Sequence, residues 1–516
     1  MVVIIHNNTQ VLEVLDHKFQ TVNLSFNKQD HLTESIFKIA KQSQSILVWC
    51  HKDLKAFLNI EAIKTICHHH HILASFNTSQ EYFLSSKLDY LEREICLKFN
   101  KKNTYGTYLM SSQVGVVYAK TLVKFENDIN LKKCFNYTLN SIAKMYQRCG
   151  LFCYSEPLLL KDNYPALIGE KITNKDFFVF VKEHYKWVWV WFLSVCLIVY
   201  DKQLYLFSLI NAQRFKQKTP QTILEVAHVN SNRIVLHQNS IDVVIPTIGR
   251  KTYLYDVLKD LSKQTLLPKQ VIIVEQNGDL NAGTELHYLK DESWPFTITH
   301  HFTHQLGVCN ARNIALKNLK NDWVFFADDD LRIESNLLQH SLNMSKKYGA
   351  KALNYSCLQP QQKQTYFNTG QTFIFGSGSS FVNTAILADL KFNTWFEFGF
   401  GEDTDFGAHI RLSGHDVVFA SHINLTHLKA PMGGFRHPIP KLWDKEHVAP
   451  KPAPTMMLLY KQHFTDKQLK GYKLFLFIKL NAKKNPLNMR SNFKKFKNSW
   501  NKSVFYANQL RTTFNA

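Results

Sequence analysis

Three consecutive carboxylates, Asp328-Asp329-Asp330, end an apolar run, Trp323-Val-Phe-Phe-Ala327. Carboxylate oxygens suit hard divalent ions such as Mg2+ or Mn2+, and open α/β sheets bind ligands at the C-terminal ends of their strands. The triplet also fits a plainer role, a strand leading to a helix start at Glu334-Ser335-Asn336. Its neighbours favour the metal. Val244-Ile-Pro-Thr-Ile-Gly-Arg250 is a strand stopped by a proline, and the turn after it can present N–H groups and Arg250 to a phosphate. Val274-Glu-Gln-Asn-Gly-Asp279 ends another strand in side chains able to hydrogen-bond a flat base. Gly307-Val-Cys-Asn-Ala-Arg-Asn313 precedes the triplet, and Phe398-Gly-Phe-Gly-Glu-Asp-Thr-Asp405 opens a helix that Gly414 ends. Each is weak alone; Glu402-Asp403, for instance, fits any helix N-terminus favoured by the macrodipole. Their joint order is hard to obtain by chance.

Alternating strands and helices must position these groups. Ile241-Asp-Val-Val-Ile245 and Gln270-Val-Ile-Ile-Val274 read as strands, and Tyr253 to Ser262 repeats leucines at helical spacing. Gly307 to Leu319 sets Ala311, Ile314, Ala315 and Leu319 on one helix face. Such alternation with short connections predicts a mainly parallel α/β sheet with right-handed crossovers.

From Ile241 to Arg436 the sequence resembles the family 2 glycosyltransferases with the GT-A fold, a Rossmann-like sheet that binds nucleotide-diphospho-sugars, with a galactosyltransferase-like Gly-Glu-Asp ending. Ile245-Pro-Thr-Ile-Gly-Arg250, Ala311-Arg-Asn313, Ala327-Asp-Asp-Asp330, Gly401-Glu-Asp403 and Thr426-His-Leu428 carry the resemblance. It implies a DxD motif in which Asp328 and Asp330 meet the nucleotide sugar and its Mn2+ or Mg2+, with His427 completing the metal shell. It implies Asp403 as catalytic base with Glu402 beside it. The donor would be bound by Pro246, Thr247, Arg250, Glu275, Asn277, Arg312, Asn313, Asp328 and Asp329. The second strand usually ends in an aspartate that meets the base; Glu275-Gln276-Asn277 stands here instead, so Glu275 or Asn277 is left to contact uracil. The implied reaction is inverting, metal-dependent transfer from a UDP-linked sugar to a hydroxyl acceptor, a glycan or glycolipid, in polysaccharide or glycolipid biosynthesis. The alternative is a non-catalytic carbohydrate- or membrane-binding scaffold on a GT-A fold, against which the intact acid set argues.

At 516 residues, with 45% apolar and 13% aromatic content, the chain is globular and long enough for several domains. The expected divisions are an α/β domain at 1–165, an apolar helical segment and linker at 166–238, the catalytic domain at 239–440 and a basic helical tail at 441–516. The first reads as a candidate degenerate copy of the GT-A fold. Ser45-Ile-Leu-Val-Trp-Cys-His51 takes the place of the DxD strand without its acids, and a structural or acceptor-holding role follows. His68 to His71 lie beside a strand, where neighbouring side chains point to opposite faces, which disfavours a metal site. Trp187 to Tyr200 is 14 residues of apolar chain, short for a span, and reads first as an interfacial helical hairpin, next as buried core.

Net charge is +21, and Lys441 to Ala516 holds 16 Lys and Arg against 3 Asp and Glu. Basic residues interleaved with apolar ones there point to an anionic membrane surface, at the inner face of a cell membrane, rather than to nucleic acid. Nine scattered cysteines without a CxxC pair fit a reducing compartment, and the N-terminus has no leader pattern, so the reading is cytoplasmic. The glycines of Asn368 to Phe381 suit close approach to a polyhydroxylated ligand or an ordinary strand turn. Gly433-Gly434 suits a loop closing over a diphosphate or a surface turn.

Overall fold

The computed structural model describes residues 1–94, 98, 100–224, 229–236, 238–431 and 440–513. The proposed closing loop at Gly433-Gly434 lies outside them. Two sheets organise the chain. The first is built from β1 (Val2–His6), β2 (Val11–Asp16), β3 (Ile46–His51), β4 (Ile72–Phe76), β5 (Tyr105–Gly106), β6 (Val114–Tyr118) and β7 (Phe152–Ser155). The second is built from β8 (Ile241–Thr247), β9 (Gln270–Gln276), β10 (Thr297–Thr303), β11 (Trp323–Ala327), β12 (Leu331–Arg332), β13 (Ala352–Leu358), β14 (Gly370–Gln371), β15 (Ser379–Asn383) and β16 (Val418–His427).

The second sheet runs β10-β9-β8-β11-β15-β13-β16-β12, with β14 also on β16. It is parallel from β10 to β11, as the strand–helix alternation predicts, and mixed beyond, where β15 runs antiparallel to both β11 and β13. Strands buried on both faces explain the continuous apolar runs: every residue of β11 is buried. The parallel half brings the C-terminal ends of β8, β9 and β11 to one edge, and helix Glu402–Leu412 opens beside them.

The first sheet, β2-β1-β3-β6-β4-β7-β5, repeats most of this plan. Strands β1, β3, β4, β5, β6 and β7 follow one another in the chain as β8, β11, β13, β14, β15 and β16 do, with the same neighbours and the same directions. The duplication is therefore visible in topology. The difference lies at one edge: β1 is flanked by the antiparallel β2, where β8 carries the parallel β9 and β10. Short edge strands join the two halves, since Gln371 of β14 accepts from Cys153 N–H (2.8 Å) and Arg411 donates to the Gly106 carbonyl (3.1 Å).

Among the described residues no helix is long and apolar enough to cross a membrane. Helix Val188–Cys196 and the π-helical turn Leu197–Asp201 bury Val190, Leu193, Cys196 and Leu197 in the first domain's core, yet leave Trp187, Trp191, Val195, Ile198 and Val199 exposed. The tail forms helices Pro454–His463, Asp466–Asn481 and Met489–Thr513. Met457, Leu458, Phe496 and Trp500 join the core of the second domain, so the tail is partly structural. The four histidines are separated in function: His68 bonds Ser231 (2.8 Å) and His70 lies against Tyr118.

Candidate active site

The triplet follows β11 directly, with Asp329 and Asp330 in a turn. Asp329 turns inward, where Thr247 Oγ1 (2.7 Å) and Arg250 Nη1 (2.6 Å) donate to its two oxygens, tying the end of β11 to the end of β8. Burial pushes Asp329 up to about 6 in spite of Arg250. Asp328 is half-exposed, and Asp330 is buried. Asp330 Oδ2 accepts the Ala430 N–H (2.9 Å), and its Oδ1 faces His427 Nε2 at 3.2 Å but is buried without a proper hydrogen-bond partner. Burial opposes its ionisation, yet His427 and the Ala430 N–H together hold Asp330 below the usual carboxylate range. The Asp330 carboxylate in turn raises His427.

Arg312 joins the two acidic stretches. The guanidinium, buried at 4% exposure, donates from Nη2 to Asp328 Oδ1 (3.3 Å) and places Nη1 4.0 Å from Asp403 Oδ1. Its Nε and Nη1 are buried without a hydrogen-bond acceptor. A buried arginine with free N–H groups between two carboxylates is a seat for a further anion. Ser377 donates its hydroxyl to Asp403 Oδ1. Gly378, next to it, is where a Cβ would overlap the Asp328 carboxylate, so the glycine-rich stretch is there for close approach to Asp328. Glu402 is buried beside Asp403; burial first, then the Asp403 charge, raises its carboxyl to about 8.

The other candidates are placed differently. Asn313 uses both ends of its amide on the Phe392 backbone (2.8 Å each), so it clamps that segment to the helix of Arg312. Glu275 ends β9 and accepts from Thr284 Oγ1 (2.5 Å), the Glu285 N–H (2.9 Å) and His300 Nε2 (2.8 Å). Asn277 closes a turn by accepting from the Asp279 N–H (3.0 Å). Pro246 lies within β8, half-buried. Two contributors carried no sequence signal. Glu397 caps the helix that bears Arg312 by accepting from the Cys309 and Asn310 N–H groups (3.1 and 2.6 Å). His463, from the tail, bonds Asp405 one turn beyond Glu402 (2.7 Å) and pins the tail to the helix of the site.

The metal ligands do not converge as tightly as the resemblance implies. Among the described residues the set with ligand atoms all within 4.8 Å of one another is Asp405, His409 and His463. Asp328 instead reaches for Arg312 and Asp330 for His427 and Arg250. The donor set still fits a hard cation: two carboxylates and an imidazole, with Asp330 Oδ1 buried 3.2 Å from His427 Nε2 and held by no hydrogen bond.

Residues 242–402 match the family model described as glycosyl transferase family 2. This stretch is thus a family 2 glycosyltransferase domain with the GT-A fold; it holds Asp328, Asp329, Asp330 and Glu402, and Asp403 follows its last residue. The chain is 31% identical over 90 residues to an uncharacterized glycosyltransferase of Haemophilus influenzae, an alignment covering 17% of this chain and 29% of that relative. Among solved structures it is similar to S. aureus TarS in complex with UDP (20% identity, 36% of this chain and 59% of that one, TM-score 0.31). It is also similar to GalNAc-T7 with UDP, GalNAc and Mn2+ (12% identity, 52% and 58%, TM-score 0.35).

Proposed function

We propose that the chain transfers a sugar from a UDP-linked donor to a hydroxyl of a glycan or glycolipid, with inversion at the anomeric carbon. The observation that carries this is Arg312, a buried cation with two unpartnered N–H groups between Asp328 and Asp403. Those N–H groups would bind the diphosphate, and Arg250 at the next strand end adds a second positive charge. Glu275 already accepts three hydrogen bonds, and a carboxylate has room for about four, which leaves a place for the N–H of uracil.

Asp328, Asp330 and His427 would hold Mn2+ or Mg2+, once Asp328 turns from Arg312. When bound, such an ion neutralises charge on the departing diphosphate. Asp403, held by Ser377 and half-exposed to the cleft, would take the proton from the acceptor oxygen. Glu402 keeps its own proton to about 8 and adds no second charge beside it. With the base on one side of the sugar and Arg312 drawing the diphosphate to the other, a single displacement inverts the centre.

An anionic membrane belongs to the same proposal. Trp189 stacks on Phe475 and the Tyr200 hydroxyl donates to the Lys470 carbonyl (3.1 Å), so the exposed apolar face of 187–199 lies next to the tail. There Ile478, Leu480, Met489 and Phe493 are exposed among Lys479, Lys483, Lys484, Arg490 and Lys494. Apolar side chains ringed by lysines fit a headgroup layer, at about 1 kcal/mol for each basic residue close to it. The full chain should float with anionic liposomes and be released by salt; a chain that stays in the soluble fraction refutes this placement.

The reaction is tested by thermal shift with a panel of nucleoside diphosphates and nucleotide sugars, with and without Mn2+. UDP compounds should stabilise the wild type only with the metal, and Asp330→Ala should abolish the shift. Equal shifts in that variant, or none in the wild type, would leave the scaffold reading.

A further inference from the structure

The repeated topology and strand registers put parts of the two domains in correspondence. Cys50 faces Val114 across β3 and β6 as Ala327 faces Ser379 across β11 and β15. Counting on from these pairs, His51-Lys52-Asp53 stands where Asp328-Asp329-Asp330 stands, and Ser112 where Ser377 does. Asn136, second residue of helix Phe135–Tyr146, takes the place of Asp403, second residue of helix Glu402–Leu412. The hydrogen bonds agree with this count. Ser75 accepts the Ser111 N–H (2.9 Å) as Asn354 accepts the Gly376 N–H (3.1 Å). Asn136 Oδ1 accepts the Ser112 N–H (2.8 Å), where Asp403 Oδ1 accepts the Ser377 hydroxyl, so the same residue pair is joined through a different donor.

At this place the first domain has a cavity of about 360 Å3, a size usual for small-ligand sites. Its chemistry has changed. None of the residues lining it is Lys or Arg, while Asp53, Glu81 and Glu170 line it, so a phosphate would be repelled. The nucleoside half of the fold is missing too, because β2 replaces the parallel strand whose end carries Glu275 in the second domain. What remains is a wall of amides, hydroxyls and carboxylates, with Phe83, Met110 and Ile168 as apolar patches. Two of its polar atoms, Ser112 Oγ and Asn8 Oδ1, are buried without a partner, and Ser112 is only 2% exposed. Buried polar groups are nearly always satisfied, so these two call for hydroxyl groups from a ligand.

We propose that this cavity is a second carbohydrate site, which holds a neutral oligosaccharide of the acceptor class without nucleotide and without metal. The ligand class rests on the transferase reading; the site itself rests on the cavity and its unpartnered atoms. A sugar presents hydroxyls to amides and carboxylates and C–H faces to Phe83 and Ile168. A bound glycan would thus be retained by one domain while the other acts on its end.

The full chain is titrated by saturation-transfer NMR and calorimetry with cellotetraose, maltotetraose and chitotetraose, in the absence of UDP and in chelator. At least one should bind, and Asp53→Ala/Glu170→Ala should weaken it tenfold or more. Asp53 is exposed and Glu170 half-buried, so the fold should survive, and the smaller change Ser112→Ala, which removes a hydroxyl that bonds nothing in the protein, should weaken binding alone if the double variant fails to fold. The proposal is overturned if no tetrasaccharide binds, if binding needs added Mn2+, or if these variants leave it unchanged. The UDP–Mn2+ thermal shift, measured on the same variants, separates the two readings. Its persistence without oligosaccharide binding removes only the second site, and its absence from the wild type removes the transferase reading.

Discussion

Replacing Asp403 with Asn removes a proton acceptor while keeping the shape. The amide oxygen can still take the Ser377 hydroxyl hydrogen, so the side chain should stay in place. One negative charge is lost 4.0 Å from Arg312 Nη1. At an effective dielectric near 20 such a pair is worth about 4 kcal/mol. The Asp403 side chain is 43% exposed, however, and solvent screening reduces that to below about 1 kcal/mol. A positioned base contributes about 10²–10⁴-fold, or about 3–5 kcal/mol. Transfer should therefore fall at least about a hundredfold, while UDP affinity should change by less than about fivefold. Rates are followed by UDP release from a panel of UDP-sugars with pooled oligosaccharide acceptors, and affinity by calorimetry with Mn2+. A variant retaining more than a tenth of the wild-type rate would refute Asp403 as base. Equal losses in rate and UDP affinity would show instead that Asp403 holds Arg312 in place.

Gly378→Ala puts a methyl group into the Asp328 carboxylate; overpacking of this kind costs about 1–3 kcal/mol, so the melting temperature should fall by a few degrees and, as Asp328 is pushed aside, UDP–Mn2+ affinity should drop about tenfold; unchanged affinity would show that Asp328 is not a ligand where it stands. Glu402 has a folded-state carboxyl raised from 4.5 to about 8. It binds a proton more tightly folded than unfolded, so its contribution favours folding at low pH and fades as pH rises from about 4.5 through about 8. Glu402→Gln cannot ionise, and its advantage in melting temperature over the wild type should widen from about pH 5 to about pH 9; a constant difference contradicts the buried, proton-holding environment.

Much of the second domain was legible because its strands are short apolar runs ended by chemistry. Ile241–Thr247, Gln270–Gln276 and Trp323–Ala327 form where the pattern placed them, and helix Leu337–Tyr348 starts after Asn336. The half-buried β10, with its histidines and threonines, has no such pattern and was not foreseen. Side-chain destinations were less legible than element positions. Asn313 reads as a donor ligand by its place after Arg312, yet the Phe392 loop takes both ends of its amide. Glu397 and His463 act through contacts between segments far apart in the chain, which spacing cannot reveal. The repeat was faint for the same reason: strand order is set by long-range pairing, and only apolar character, not residue identity, has to be kept for it.

The divergence of the two copies follows a rule of charge. Arg312 lies on helix Val308–Leu316, and helix Leu32–Gln42 lies at the matching distance ahead of β3. Counting back from the strands equally, Ser35, fully buried, takes the place of Arg312. Thus Asp328, Asp403 and Arg312 correspond to His51, Asn136 and Ser35, and burial holds His51 below its ordinary value. All three charged groups have neutral counterparts. Removing both carboxylates would leave the buried Arg312 charge without a partner at about 3–5 kcal/mol, so the arginine could not outlast them without loss of stability. The set goes together or stays together. By the same reasoning, its survival intact in the second domain, where Arg312 still has N–H groups without an acceptor, needs a ligand that uses the charge.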